Sequence, residues 1–346
     1  MAKLQYSETP EVSQPYRAGY LASVQAYLDT ARKQAENRRA AFITPERLAK
    51  DPDAYRKQFY KMLGSPLTEY EEYRKIPPVC LENTLVSNDG EVEIRRMRIE
   101  VMENFSLYGI LFLPCDRQPD APFLLSQHGG HGTPEVCSDF FGDTNYNHLT
   151  ARLLARGAVV FAPQLLLWQQ ERFGDPFDRR LIDNTLKQFG SSITALEVFG
   201  LMRLLDYFVT QPYCNADRIG MAGLSYGGFY TMMTTAADPR IRVAYASCSF
   251  VDSAEFPQFT DWGWFDNAGT FSEAEIAGLI APRSIYFEAA TRDELFGSAS
   301  SVRQFAAAKP YFAAQGVPDH IVLTLFDGTH ELDHADTGME FLFANL

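Results

Sequence analysis

Ser225 lies in the run RIGMAGLSYGGFYTMM, from Arg218 to Met233. An apolar strand-like stretch passes through glycines flanking one serine into an apolar helix-like stretch. Gly223, Ser225 and Gly227 fit the pattern G-x-S-x-G. Its chemistry needs a strand that turns into a helix so sharply that the apex residue is strained and projects its Oγ, with small neighbours to allow the approach. The helix N-terminus beneath supplies free N–H groups and a positive dipole end, which favour a developing oxyanion. The competing reading is a tight turn without chemistry. The strand before Ser225 and the helix after it favour the nucleophile.

A nucleophilic serine needs a base, an orienting acid and oxyanion donors. Six histidines are available. His148 falls in an amphipathic helix, and His320 reads as a loop residue at a strand start. His330 directly follows the last expected strand, in LTLFDGTHEL, with Gly328 leaving its loop free to reach back. In a parallel sheet such strand ends share one edge, so His330 is the expected base. His334, one helical turn on, is its alternative. The strand RSIYFEAA runs into TRDELFG, which offers Asp293 and Glu294. Asp293 comes first and is the expected acid. Glu288 lies inside the strand and reads as a paired structural carboxylate. Asp252, at the preceding strand end, is a rival acid. Expected oxyanion donors are the backbone N–H groups of Tyr226 and of Gly130, the latter in QHGGHG. His128 is expected to tie down that loop, and His131 to line the pocket. A metal pair from these two histidines lacks a third ligand of recognisable spacing, so no metal and no cofactor are expected.

These residues must be positioned by elements. From about residue 80 the chain alternates strand-like and helix-like segments: VEIRRMRIEV, LYGILFLP, APFLLSQ, NHLTARLLARGAVVFAPQ, ALEVFGLMRLLDYF, IRVAYASCSF, RSIYFEAA and HIVLTLF. That alternation implies a mostly parallel sheet covered by helices on both faces. The alternating first strand suggests an antiparallel edge. Two connections, near 165–190 and 251–280, are too long for simple turns and are expected to be cap insertions. They hold all three tryptophans, Trp168, Trp262 and Trp264, which become candidate pocket residues. Residues 1–78 read as a helical segment that packs on the core. Tyr20, Leu21, Val24, Tyr27 and Leu28 share one face at helical spacing. In DPDAYRKQFYKMLG, Asp51 can cap, Pro52 suits the first turn and Gly64 the stop, with Tyr55, Phe59, Met62 and Leu63 as the buried stripe.

The chain has 346 residues, 46% of them hydrophobic, with a formal net charge of −13. Such acidity argues against a nucleic-acid partner. Five cysteines, an odd count without CxxC spacing, argue against a disulfide framework or a zinc site. The first residues hold no apolar signal-peptide core, and no run approaches a membrane span. A soluble cytoplasmic protein is expected, with a homo-oligomer left open.

QHGG, ADRIGMAGLSYGG, DPRIRVAYASCSF, LIAPRSIYFEAATRDELF and FDGTHE together resemble the α/β-hydrolase superfamily, in its dienelactone-hydrolase-like and acetyl xylan esterase-like branch. The resemblance spans roughly residues 80–346. It implies an eight-stranded sheet over 79–346, with Ser225, Asp293 and His330 as triad and Gly130 and Tyr226 as oxyanion hole. It also implies a serine hydrolase acting on a short-acyl or carbohydrate-type ester, a small-molecule substrate. A C–C bond hydrolase or peptidase could use the same triad. The alternative of another class is a non-catalytic binding module.

Overall fold

The computed structural model describes residues 5–346. Nine strands form one sheet: β1 (Val79–Asn88), β2 (Val92–Met102), β3 (Phe105–Pro114), β4 (Phe123–Gln127), β5 (Val159–Pro163), β6 (Ile219–Leu224), β7 (Ile241–Ser247), β8 (Ser284–Ala290) and β9 (Ile321–Phe326). Their order is β1-β2-β3-β5-β4-β6-β7-β8-β9. The first three strands are antiparallel to one another, and β3 is antiparallel to β5. From β5 to β9 every pairing is parallel. The sequence implied eight strands. The ninth is β1, an outer strand whose residues are almost all exposed. Without a buried face it lacks the period-two pattern by which β2 announces itself, where Met97, Ile99 and Val101 alternate into the core.

The central strands are buried on both faces and read as unbroken apolar runs, as crossover connections require. One core lies between the sheet and the helices Ile193–Phe208 and Tyr226–Ala237. The other lies under Leu149–Leu154 and Thr337–Ala344. Both long connections carry short helices: Gln170–Phe173 and Arg179–Gln188 in the first, Asn267–Thr270 and Glu273–Gly278 in the second.

The N-terminal segment divides in two. The helix Pro52–Leu63 follows its sequence signals. Asp51 accepts from the Ala54 N–H at 3.1 Å, and Gly64, at φ 103°, donates to the Tyr60 carbonyl at 2.8 Å. Phe59 and Leu63 are buried, and Tyr55 and Met62 half-buried. Arg56 Nε donates to the Ala236 carbonyl at 3.0 Å and Tyr60 Oη to that of Ala237 at 2.8 Å, which seals this helix onto the body. The long helix α1 (Pro10–Phe42) differs from expectation. Tyr20, Leu21, Val24, Tyr27 and Leu28 do not pack on the core and are exposed. Contact is made near the C-terminal end, where Ala35 is buried and Arg38 and Arg39 bind Asp266 and the Ala268 carbonyl. Periodicity states which residues share a face, not what stands opposite; α1 has 33 residues and outruns the body beneath it.

Candidate active site

β6 delivers Ser225 at φ 61° and ψ −125°, a conformation that side-chain-bearing residues rarely adopt. The helix Tyr226–Ala237 begins at the next residue. The turn is possible because a Cβ on Gly223 would lie 2.5 Å from the Gly227 carbonyl, and one on Gly227 would lie 2.2 Å from the Gln127 oxygen. The Ser225 N–H donates to the Ser247 carbonyl at 2.9 Å, so β7 braces the apex.

Asp293 follows β8 and His330 follows β9. His330 Nδ1 and Asp293 Oδ2 are 2.8 Å apart. With the carboxylate ionised, Nδ1 carries the proton and donates, which leaves Nε2 as the basic nitrogen. Asp293 Oδ1 accepts from the backbone N–H groups of Leu295 and Phe296 at 2.8 and 3.0 Å. Burial pushes the Asp293 carboxyl upward, but His330 and these two N–H groups outweigh it and hold the group below its usual range. The two loops are stitched together: Thr291 N–H donates to the Phe326 carbonyl and Arg292 N–H to that of Gly328. The Phe296 ring meets the imidazole edge-on, centroids 5.6 Å apart.

His330 is brought beside the elbow through β7. Ser247, whose carbonyl holds the Ser225 N–H, donates its Oγ to the Glu331 carbonyl at 3.4 Å. Among the described residues no hydrogen bond joins Ser225 Oγ to His330; such contacts often tighten only with substrate bound. Asp252 has a different occupation. Its Oδ1 accepts from the Ala254 N–H at 3.0 Å, and its own N–H donates to Ser300 Oγ. His334 is exposed, 3.7 Å from Glu331.

Gly130 and His131 are exposed at the end of β4, and Tyr226 opens the helix that follows Ser225. The Tyr226 N–H is among the first donors of that helix and has no intrahelical acceptor. The Gly129 N–H, by contrast, donates to Tyr146 Oη at 2.6 Å. His128 is buried and fully used: Nδ1 faces the Gly129 carbonyl at 2.9 Å, and Nε2 accepts from the Leu165 N–H at 3.0 Å. Burial lowers it to about 4, so it is a neutral tie between the β4 and β5 loops. Among the described residues one trio places possible metal-ligand atoms within 4.8 Å of one another: Cys248, Asp293 and His330. Burial pushes the Cys248 thiol up to about 12, and the other two are already bonded to each other, so the set suits an acid–base pair rather than a metal.

The tryptophans separate. Trp168 is half-buried and pairs by a β-bridge with His131 at the exposed rim. Trp262 and Trp264 are 2% and 8% exposed and stack on Phe229. They form packing behind Tyr226, not an open pocket lining; an apolar loop residue in a compact body is as readily core as surface.

Sequence reading missed a buried ionic cluster under Tyr226. Arg179 Nε donates to Asp261 Oδ2 at 2.8 Å, and its Nη2 donates to Glu197 Oε2 at 2.9 Å and to Tyr230 Oη at 2.6 Å. Tyr226 Oη donates to Asp261 Oδ1 at 3.1 Å. The guanidinium thereby joins both long connections to the helix Tyr226–Ala237. Glu197, a lone carboxylate inside the apolar run ALEVFGLMRLL, was the available signal. Also missed were Asn145 and Asn147: Asn145 Nδ2 donates to the His330 carbonyl at 3.0 Å, and Asn147 Nδ2 to that of Leu332.

Residues 197–323 match the model of the prolyl oligopeptidase family. Over 101 residues the chain is 33% identical to a putative hydrolase, YtaP, of Bacillus subtilis (strain 168). That match covers 27% of this chain and 34% of YtaP, so the chain spans about a third of that relative's length. A putative acetyl xylan esterase from Bacteroides fragilis NCTC 9343 superposes with a TM-score of 0.64 at 16% identity, covering 92% of this chain and 89% of its own. A glucuronoyl esterase from Solibacter usitatus gives 0.60 at 15%, covering 78% and 86%. Acetyl xylan esterase 1 from Thermoanaerobacterium sp. JW/SL YS485 gives 0.57 at 15%, covering 83% and 98%.

Proposed function

We propose that this chain, which has the α/β-hydrolase fold, is a serine hydrolase of carboxylic esters, of short-acyl or carbohydrate type, working through an acyl-enzyme. The observation that carries the reading is the His330–Asp293 bond at 2.8 Å, held by two parallel strand ends beside a serine at φ 61°. The esterase-named structures above support the ester class by likeness of fold.

Ser225 Oγ attacks the ester carbonyl as its proton passes to His330 Nε2. The carbonyl electron pair moves onto oxygen, where the Tyr226 and Gly130 N–H groups receive it. Collapse expels the alcohol, which takes the proton from His330 and leaves an acyl group on Ser225. Water then loses a proton to His330 and attacks the acyl carbon; the carboxylic acid leaves and Ser225 Oγ regains its proton. Asp293 stays ionised throughout and stabilises the imidazolium. The exposed Gly130 and His131 make the mouth open at the β4 end, which suits an ester carried on a bulky alcohol such as a sugar.

The prolyl oligopeptidase match favours a second reading, a peptidase on the same residues. One experiment serves both. A fluorophosphonate probe should label Ser225 in folded protein, with labelling abolished in Ser225→Ala. Turnover of p-nitrophenyl acetate and acetylated xylo-oligosaccharides should exceed that of aminoacyl-p-nitroanilides by at least about 100-fold. The reverse preference makes the chain a peptidase, and failure to label Ser225 removes both readings.

A further inference from the structure

Helix α1 carries an apolar stripe that meets the body only near its C-terminal end and, among the described residues, is left open before it. Leu21, Val24, Leu28, Ala31 and Ala35 recur at alternating steps of three and four, the a/d seam of a coiled coil. Ala35 is buried against the body, while Leu21 and Leu28 are each 57% exposed. Tyr20 and Tyr27 flank the seam, 75% and 70% exposed. This arm has poor reasons to be helical alone. Pro15 interrupts its backbone bonding, and Gly19 has no neighbour within 4 Å of where a Cβ would sit. A solitary segment of this composition is marginal in water. Something must cover it.

We propose that the cover is α1 of a second copy, packed antiparallel about a two-fold axis near residues 22 and 23, so that the chain is a homodimer. The charge order selects this occupant and this direction. Glu11 lies toward the N-terminal end, and the exposed Arg32 and Lys33 toward the other, while Arg38 and Arg39 are taken up by Asp266 and the Ala268 carbonyl. Antiparallel pairing sets acidic end on basic end; parallel pairing sets Glu11 on Glu11 and Arg17 on Arg17. In the register that centres the seam, Leu21 meets the partner's Val24 and Leu28 meets the partner's Arg17. Tyr20 then flanks the partner's Tyr27, Arg17 reaches the partner's Asp29, and Glu11 reaches the partner's Arg32. Arg32 is exposed at the edge of a groove of about 580 Å³ between α1 and the 252–273 connection, so the partner's N-terminal turn has room there. Each contact occurs twice, as a two-fold axis demands. Two aromatic rings and three aliphatic side chains per copy, at up to about 200 Å² for each ring, approach the roughly 1,200 Å² that a stable interface buries.

The test is sedimentation equilibrium on the full chain. Wild type should be a dimer at roughly 10 µM. Leu21→Glu/Leu28→Glu should be monomeric at that concentration while the thermal unfolding of the body is retained. Tyr20→Ala/Tyr27→Ala, a milder change, should weaken dimerisation at least tenfold. Glu11→Arg and Arg32→Glu should each weaken it about fivefold, and the combined variant should restore it. A monomeric wild type, or a dimer indifferent to the Leu and Tyr variants, overturns the proposal. Failure of the double charge swap to restore affinity overturns the antiparallel register.

Discussion

At the residue scale, the division of labour among the carboxylates is the sharpest outcome. Asp293 and Asp252 both follow parallel strands that end at the same sheet edge as Ser225, and the sequence could not order them on position alone. The structure separates them by what each carboxylate binds: Asp293 holds His330, while Asp252 caps its own turn. Asp293→Asn should therefore lower kcat for a p-nitrophenyl ester by roughly 10³–10⁴-fold, and Asp252→Asn by less than about threefold. Comparable losses in both would displace Asp293 as the orienting acid. Glu288 was legible as a paired carboxylate because a charge inside a buried strand must find donors. Its partners are Tyr245 Oη at 2.7 Å and the Asp333 N–H at 2.9 Å, which ties β8 to the loop after His330. Burial nonetheless raises it to about 7. A carboxyl whose folded pKa exceeds its unfolded one contributes stability that is full below the unfolded value and is lost as pH rises through about 7. Denaturant unfolding should show this loss between pH 5 and pH 8 as on the order of 2–3 kcal/mol in wild type, against a flatter profile in Glu288→Gln. An unchanged slope would mean that Glu288 stays ionised in the fold.

At the scale of elements, the sheet edge was readable and the two long connections were not. Strand–helix alternation fixes which loops converge, so Ser225, Asp293 and His330 could be placed from their distance past each strand. The connections have no such periodicity. Their architecture rests on Arg179, which bonds Glu197, Asp261 and Tyr230 while its guanidinium carbon lies 5.6 Å from the Tyr226 ring centroid. A charge cluster assembled from residues 179, 197, 230 and 261 leaves no local pattern, which is why Trp262 and Trp264 were expected at a pocket instead of in packing beside it. Removing the cation strands two buried carboxylates. Arg179→Met should lower stability by about 3–5 kcal/mol, because the uncompensated charges remain. In Arg179→Met/Glu197→Gln/Asp261→Asn most of that loss should return. Ester turnover should not recover with it, since Asp261 also receives the Tyr226 hydroxyl and so holds the ring that packs beside Gly130. Thermal melts and kcat on the two variants separate the roles, and parallel recovery of both would reduce the cluster to a structural clamp.

At the scale of the whole molecule, the N-terminal segment is two parts with opposite dependence on the body, although its sequence reads as one helical run. The helix Pro52–Leu63 is integral. Phe59 and Leu63 are buried, each contributing about 2–3 kcal/mol by burial, and Arg56 and Tyr60 close the carbonyls that end the helix Tyr226–Ala237. The arm of α1 before Ala31 adds no buried side chain to the same core. The helical period was equally clear in both, because it reports a shared face; only the presence of Ala236, Ala237 and Leu279 opposite one of them decides burial. Deleting residues 1–30 should leave the unfolding temperature of the monomeric body within about 3 °C of wild type and ester turnover within about twofold, whereas deleting residues 1–75 should abolish soluble folded protein. Should the shorter deletion also unfold the body, α1 stabilises it in a way that its contacts do not explain. Should the longer one fold and melt as wild type does, the helix Pro52–Leu63 is not integral to the body, whatever apolar area it covers.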